Sequence, residues 1–235
     1  MKINLAGIFS VLAVGALAFT ATPSAHATAE LELISGASSV IITDGGVNDA
    51  NSLTGAITFS GTVGTFDISI TTTGITKPVL GSATSPSLDL NSIQVSSGVG
   101  NLTILFSDVG FGPTSGSFLG QIGGTINNGG GSLSYATFVN TSNTELAISG
   151  PGTTQLTSQG PFAPGAFSGT TTSGILAMAG PYSLTQEVVI SHSTGGNTSF
   201  NASLTTTVPD GGSTVALLGA VLVGFEALRR KFMAA

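Results

Sequence analysis

The chain has 235 residues, with 11 acidic and 5 basic side chains, no cysteine and no tryptophan. Thr28–Thr207 holds nine of the acidic residues and a single base, Lys77, for a formal charge of −8 with His192 neutral. Such a body repels a phosphate backbone, which excludes nucleic acid as a partner. It also offers no thiol nucleophile, disulfide or cysteine-ligated metal.

In chain order, the first element is a leader. Lys2 precedes an uncharged apolar run, Leu5 to Phe19, and Ala25-His26-Ala27 places small residues where a signal peptidase reads. Residues 1–27 are therefore expected to be an N-terminal signal helix cleaved after Ala27, with Ala25 and Ala27 as its recognition positions. A body at 28–207 follows, and it is long enough for one domain with a core.

Period-two patterning runs through the body. Ile57, Phe59, Gly61 and Val63 alternate with Thr58, Ser60 and Thr62, and Phe66, Ile68 and Ile70 alternate with Asp67, Ser69 and Thr71. Side chains on a strand face opposite sides in turn, so one face is buried and the other wet. Further strands are expected at Leu31–Ile34, Val40–Thr43, Leu88–Val95, Leu102–Ser107, Phe118–Ile126, Leu133–Asn140, Glu145–Ser149, Tyr182–Ser193 and Ser199–Val208. The phase slips between Leu90 and Ile93, and a bulge at Asn91-Ser92 would restore it. Asp44-Gly45-Gly46, Asn127 to Gly131 and Gly195-Gly196-Asn197 supply turn residues. Pro151–Gly174 is the least strand-like part and reads as a long loop. The expected class is all-β: a single antiparallel β-sandwich or jelly-roll-like domain, with a β-solenoid as the alternative.

The tail has three parts. Val208-Pro209-Asp210-Gly211-Gly212-Ser213 is followed by an apolar run, Val215 to Leu228, and then by Arg229-Arg230-Lys231. Fourteen helical residues span about 21 Å at about 1.5 Å each, short of a hydrocarbon core of about 30 Å. Starting the helix at Gly211 lengthens it to about 27 Å, and Arg229 and Lys231 can snorkel to the headgroups. The three bases favour a cytoplasmic C-terminus. Residues 208–235 thus read as a motif, a C-terminal transmembrane helix and a basic stop. A plain anchor needs no motif before its helix, a GPI signal lacks the basic cluster, and no LPxTG-type sortase motif is present.

This order resembles the PEP-CTERM class of bacterial sorting signals, in its VPDSG-type variant. Asp210-Gly211 stands where the commonest form has Glu-Pro. The resemblance implies an exosortase as partner, removal of the tail, and delivery to the cell surface or extracellular matrix. Gly64–Ile70, Leu88–Ile93, Phe106-Ser107-Asp108 with Gly110–Pro113, and Tyr182–Thr185 are similar to the bodies of a family of PEP-CTERM proteins. That likeness implies a shared fold and export route and brings no catalytic residues with it.

Candidate chemistry in the body is sparse. His192 is the only histidine after the leader, and no G-x-S-x-G elbow accompanies it. Asp67, Asp89 and Asp108 are carboxylates of the type used by hydrolases, with nothing in the sequence to bring them together. Asp44, Asn48, Asp49 and Asn51 crowd one Gly-rich loop and offer oxygen ligands suited to calcium, without EF-hand spacing; Asx residues in loops more often satisfy backbone turns. No cofactor is implied. The function expected is a non-enzymatic structural or adhesive protein of exopolysaccharide or biofilm. The alternatives are a carbohydrate-binding module and, third, a secreted hydrolase.

Overall fold

The structure, a computed structural model, describes residues 29–96, 98–127, 131–207, 218–219 and 221–223. The leader with Ala25 and Ala27, the motif Val208–Ser213 and the bases Arg229, Arg230 and Lys231 lie outside these residues. Leu218–Gly219 and Val221–Val223 are helical. No helix among the described residues is long and apolar enough to cross a membrane.

Among the described residues thirteen strands are formed: β1 Glu30–Ser35, β2 Ser38–Thr43, β3 Ala56–Val63, β4 Phe66–Ile75, β5 Ser87–Ser96, β6 Gly100–Phe111, β7 Thr114–Asn127, β8 Gly131–Asn140, β9 Thr153–Phe162, β10 Gly165–Thr172, β11 Leu176–Met178, β12 Tyr182–His192 and β13 Asn197–Thr207. They build two sheets, one ordered β2-β1-β6-β12-β8-β9 and the other β10-β7-β13-β5-β4-β3, with β11 also on β7. Their pairings are antiparallel. From β5 onward the chain shuttles between the sheets, placing β6-β12-β8-β9 opposite β5-β13-β7-β10. The hairpins β1-β2 and β3-β4 widen each sheet at one side. The four edge strands β2, β3, β9 and β10 contain no charged residue.

The alternating faces meet in one core. Leu31, Leu33, Leu102, Ile104, Phe106, Val188 and Ile190 from the first sheet pack on Ile57, Phe66, Ile68, Leu88, Leu90, Ala202 and Leu204 from the second. Polar side chains also cross between the sheets. Gln186 Nε2 donates to Leu88 O at 2.8 Å, Gln159 Nε2 to Gly120 O at 2.9 Å, and Tyr135 OH to Ser203 O at 3.1 Å. A strand carbonyl has two lone pairs, so it can hold its ladder bond and accept these as well. Tyr182 OH reaches Thr114 Oγ1 at 2.8 Å in the same manner.

Three expectations need correction. The Pro151–Gly174 stretch is not a long loop, because it forms β9 and β10. Thr157, Gln159 and Gly169 take inward positions among Leu156, Phe162 and Phe167, so the apolar side chains fall without regular alternation; pairing with β8 and β7 decides instead. Glu145–Ser149 is not a strand. The buried Asn140 captures the chain there, with Oδ1 accepting from Ser142 N at 2.8 Å and Thr144 N at 3.2 Å, and Nδ2 donating to Pro151 O and Thr153 Oγ1. Asn143 and Leu146 turn with φ of 59° and 54°, outside strand geometry. In β5 the inward phase runs as far as the buried Ser92 and resumes at the buried Val95. The extra residue relative to β13 falls between the partners of Thr198 and Phe200, two residues beyond the expected bulge.

Strand registers collect many loops at one end of the sandwich, called here the proximal rim because β13 ends there. Thr207 lies opposite Ser117 and Thr205 opposite Ser87. β1 starts, β2 ends and β6 ends at the same rim, where Glu30 stands opposite both Thr43 and Ser107. Loops 44–55, 76–86 and 112–113 are joined there by Thr76 N to Gly55 O at 2.8 Å and Gly112 N to Ala83 O at 2.6 Å.

Gly74 of β4 faces the Phe106 ring of the opposite sheet, and a Cβ there would overlap that ring. Gly74→Ala is expected to cost about 1–3 kcal/mol as overpacking. Thermal denaturation should register it at roughly 2–4 °C per kcal/mol, and an unchanged Tm would show that the ring yields freely.

Candidate functional site

The proximal rim gathers most of the body's charged chemistry as well as its exit point. In loop 44–55, Asp49 Oδ1 accepts from Asn51 N at 2.8 Å and Thr58 N at 2.9 Å, and Oδ2 from Gly45 N at 2.9 Å. Asp44 Oδ2 accepts from Gly55 N at 2.7 Å, and Asn51 Oδ1 from Leu53 N at 3.0 Å. Asn48 carries the left-handed turn at φ 71°. All four residues considered for calcium thus share one loop, where three of them bind backbone N–H groups. No group of three or more His, Cys, Asp or Glu suited to a metal ion occurs among the described residues.

Beside this loop lies an ion pair that sequence reasoning missed. Lys77 Nζ sits 2.6 Å from Asp108 Oδ2, donates to Val109 O at 2.5 Å, and lies 4.1 Å from the centroid of the Phe111 ring. Asp108 also accepts from Thr76 Oγ1 at 2.8 Å and Val109 N at 2.7 Å. Its side chain is wholly buried and that of Lys77 nearly so. Burial pushes the Asp108 carboxyl up and the Lys77 ammonium down, while their contact opposes both shifts. The one available signal was compositional, since Lys77 is the sole base of an acidic body.

Loop 141–152 brings Glu145 close to this pair. Burial, then the neighbouring Glu30 and Asp108, raise the Glu145 carboxyl from 4.5 to about 7, against a smaller opposing effect of Lys77.

The other candidates are scattered. His192 ends β12 and is buried, with Nε2 2.8 Å from Thr198 Oγ1 and its ring 5.5 Å from that of Phe66. Burial lowers its pKa, partly offset by the Gly98 backbone. Among the described residues no carboxylate is hydrogen-bonded to it, so the triad geometry is not assembled. Asp67 pairs with Ser96 and Asp89 with Ile75 on the β4–β5 ladder. Eight residues of strand therefore separate them, about 27 Å at 3.4 Å each, well beyond the 5–9.5 Å of a glycosidase pair. Asp108 belongs to the opposite sheet and is occupied by Lys77.

The tail leaves this same rim. β13 runs between β5 and β7, and its end is fastened by Thr206 N to Pro86 O at 3.2 Å and Thr207 Oγ1 to Ser117 O at 3.2 Å. A family model described as the VPDSG-CTERM motif matches residues 207–232. The match begins on the last residue of β13. Among curated proteins, none matches the chain.

Two outcomes follow from the rim. Lys77→Met leaves Asp108 buried without its counter-charge and should destabilise the fold by about 3–5 kcal/mol, with Asp108→Asn in the same chain recovering part of the loss; urea unfolding measures both. For Glu145 the folded-state pKa lies above the unfolded one, so its contribution to stability is full below about pH 4.5 and is lost as the pH rises through about 7. Glu145→Gln should therefore raise Tm over the parent at pH 8 and leave it nearly unchanged at pH 4. An equal difference at both pH values would contradict the assignment.

Proposed function

We propose, from the PEP-CTERM-like sorting signal at residues 207–232, that this chain is an exosortase substrate whose mature body is a non-enzymatic structural or adhesive component of the cell surface or extracellular polymer matrix. The signal itself implies export, tethering to a membrane during sorting, and handling by an exosortase-type system. The observation that carries the reading is the junction: a folded β body ends at Thr207 and the signal begins there, so cargo and address are separable. In this reading Val208, Pro209, Asp210, Gly211, Gly212 and Ser213 are recognised, and Arg229, Arg230 and Lys231 set the orientation.

The architecture supports a passenger role. The eight-strand wrap β6-β12-β8-β9 against β5-β13-β7-β10 has the order of a jelly roll. Its stability comes from burial and cross-sheet hydrogen bonds, with no cysteine to add a disulfide.

A second reading, a carbohydrate-binding module, draws support from the outer face of the second sheet. The row Thr58–Thr73–Asn91–Asn201–Gly123–Ser168 crosses all six strands with hydroxyls and amides and no formal charge. Such a row offers neutral hydrogen-bonding groups to a polysaccharide, with the Asp89 carboxylate beside Asn91; the face lacks the aromatic platforms that sugar sites commonly use. Glycan-array binding abolished by Asn91→Ala with Asn201→Ala would favour this reading over a purely structural one.

Replacing Arg229, Arg230 and Lys231 together by Glu should leave the protein mislocalised and its C-terminus untrimmed, as read by cell fractionation and mass spectrometry of the C-terminal peptide. Normal surface delivery of that variant would overturn the sorting assignment.

A further inference from the structure

The body carries few exposed large aliphatic side chains, and they are unevenly placed. Val47 is 84% exposed, Leu53 60%, Val79 51% and Ile175 71%, with Ile41 on strand β2 at 52% and Val99 between β5 and β6 at 56%. Val47 and Leu53 lie in loop 44–55, Val79 in loop 76–86 and Ile175 between β10 and β11. All of these connections belong to the proximal rim. Loops 44–55 and 76–86 are joined by the Thr76–Gly55 hydrogen bond. Pro86, at the end of the second loop, accepts from both the backbone and the side chain of Thr206, one residue before the end of β13. Ile175 follows Ser173, whose N–H donates to Phe118 O on β7, beside the β13 terminus.

The charged groups of the two joined loops are turned inward. Asp44 and Asp49 accept from backbone N–H groups of their own loop and its neighbour β3, and Lys77 is held by Asp108, Val109 and the Phe111 ring. The apolar residues are thus left at the loop tips without their charges beside them in water. Covalent geometry limits what can face this rim. Only Val208 to Thr214 separate Thr207 from the apolar run that starts at Val215. Seven residues reach at most about 25 Å when fully extended.

We infer that the proximal rim is a lipid-contact surface: while the tail is inserted, Val47, Leu53, Val79 and Ile175 dip into the interfacial zone of the bilayer and hold the sandwich upright on the membrane. This rests on the reading of the tail as a membrane anchor during sorting. The partner is a zwitterionic lipid surface and not an anionic one, because the body's formal charge of −8 opposes a negative headgroup layer. Burying scattered aliphatic side chains at an interface adds to the anchoring of a short helix. The opposite rim, with Val99 56% exposed, points away from the membrane.

The chain contains no tryptophan, so one introduced indole reports alone. Full-length protein is reconstituted in phosphatidylcholine vesicles with or without brominated acyl chains, carrying Val79→Trp, Ile175→Trp, Val99→Trp or Leu222→Trp. The expected result is blue-shifted emission, largely lost to brominated lipid, for the indoles at 79 and 175. The indole at 222 should be quenched as well, and the one at 99 should emit as in water and be unaffected. If the indole at 222 is quenched while those at 79 and 175 behave like the one at 99, the lipid-contact surface is refuted and the anchor stands. An unquenched indole at 222 removes the anchor and this inference with it.

Discussion

The whole structure depends on closing the space between two sheets in a body that has one lysine, no cysteine and little charge to spend on specificity. Aliphatic and aromatic side chains supply most of the closure, as Phe106 seated over Gly74 illustrates. Register between the sheets is fixed by something more directional. Gln186, Gln159, Tyr135 and Tyr182 each reach from the first sheet to an acceptor in the second. A buried amide or phenol that lost its partner would leave a desolvated dipole, so sliding the sheets is penalised in a way that a purely apolar interface would not be. Toward β9 and β10 the same logic supplements hydrophobic contact: Thr157 and Gln159 fit against Gly120 and Gly169, beside Leu156 and the stacked rings of Phe162 and Phe167.

The two ends of the sandwich differ chemically. The proximal rim contains the buried Lys77–Asp108 pair, the carboxylate-stitched loop 44–55, the Asn140-organised loop 141–152, and the place where β13 gives way to the sorting segment. A buried pair contributes little net stability, yet it tolerates loss of a partner badly. Its effect is to lock loop 76–86 onto the end of β6, and so to give the chain's exit a firm base at Pro86.

Much of the fold was legible in the sequence wherever burial and strand phase coincide. Leu31 and Leu33, Phe66 and Ile68, Leu88 and Leu90, Val188 and Ile190 are all inward and buried, as their alternation implies. The tail motif was also readable, because its three parts are contiguous. What escaped was decided by tertiary pairing. β9 and β10 are strands because β8 and β7 offer them ladders, and their inward glycine, threonine and glutamine break up the alternation of Leu156, Phe162 and Phe167. The Glu145 segment has strand-like composition but is captured by the side chain of Asn140. The meeting of Lys77 with Asp108, 31 positions apart, arises from topology alone. The edges are a related case. Charged residues commonly protect sheet margins, and here β2, β3, β9 and β10 have none; β3 and β9 are instead made irregular by register shifts.

The location of β13 has a bearing on how the polypeptide can be trimmed. A terminal strand at a margin can peel away and offer a protease several bonds to choose from. β13 is interior, paired with β5 as far as Thr205 and with β7 as far as Thr207, so up to Thr205 it surrenders nothing unless two ladders open together. Scission upstream of Thr205 would therefore demand partial unfolding of the sandwich, whereas scission beyond Thr207 breaks no bond of either described ladder. The fold itself acts as a ruler, guarding the chain by two ladders up to Thr205 and by one up to Thr207.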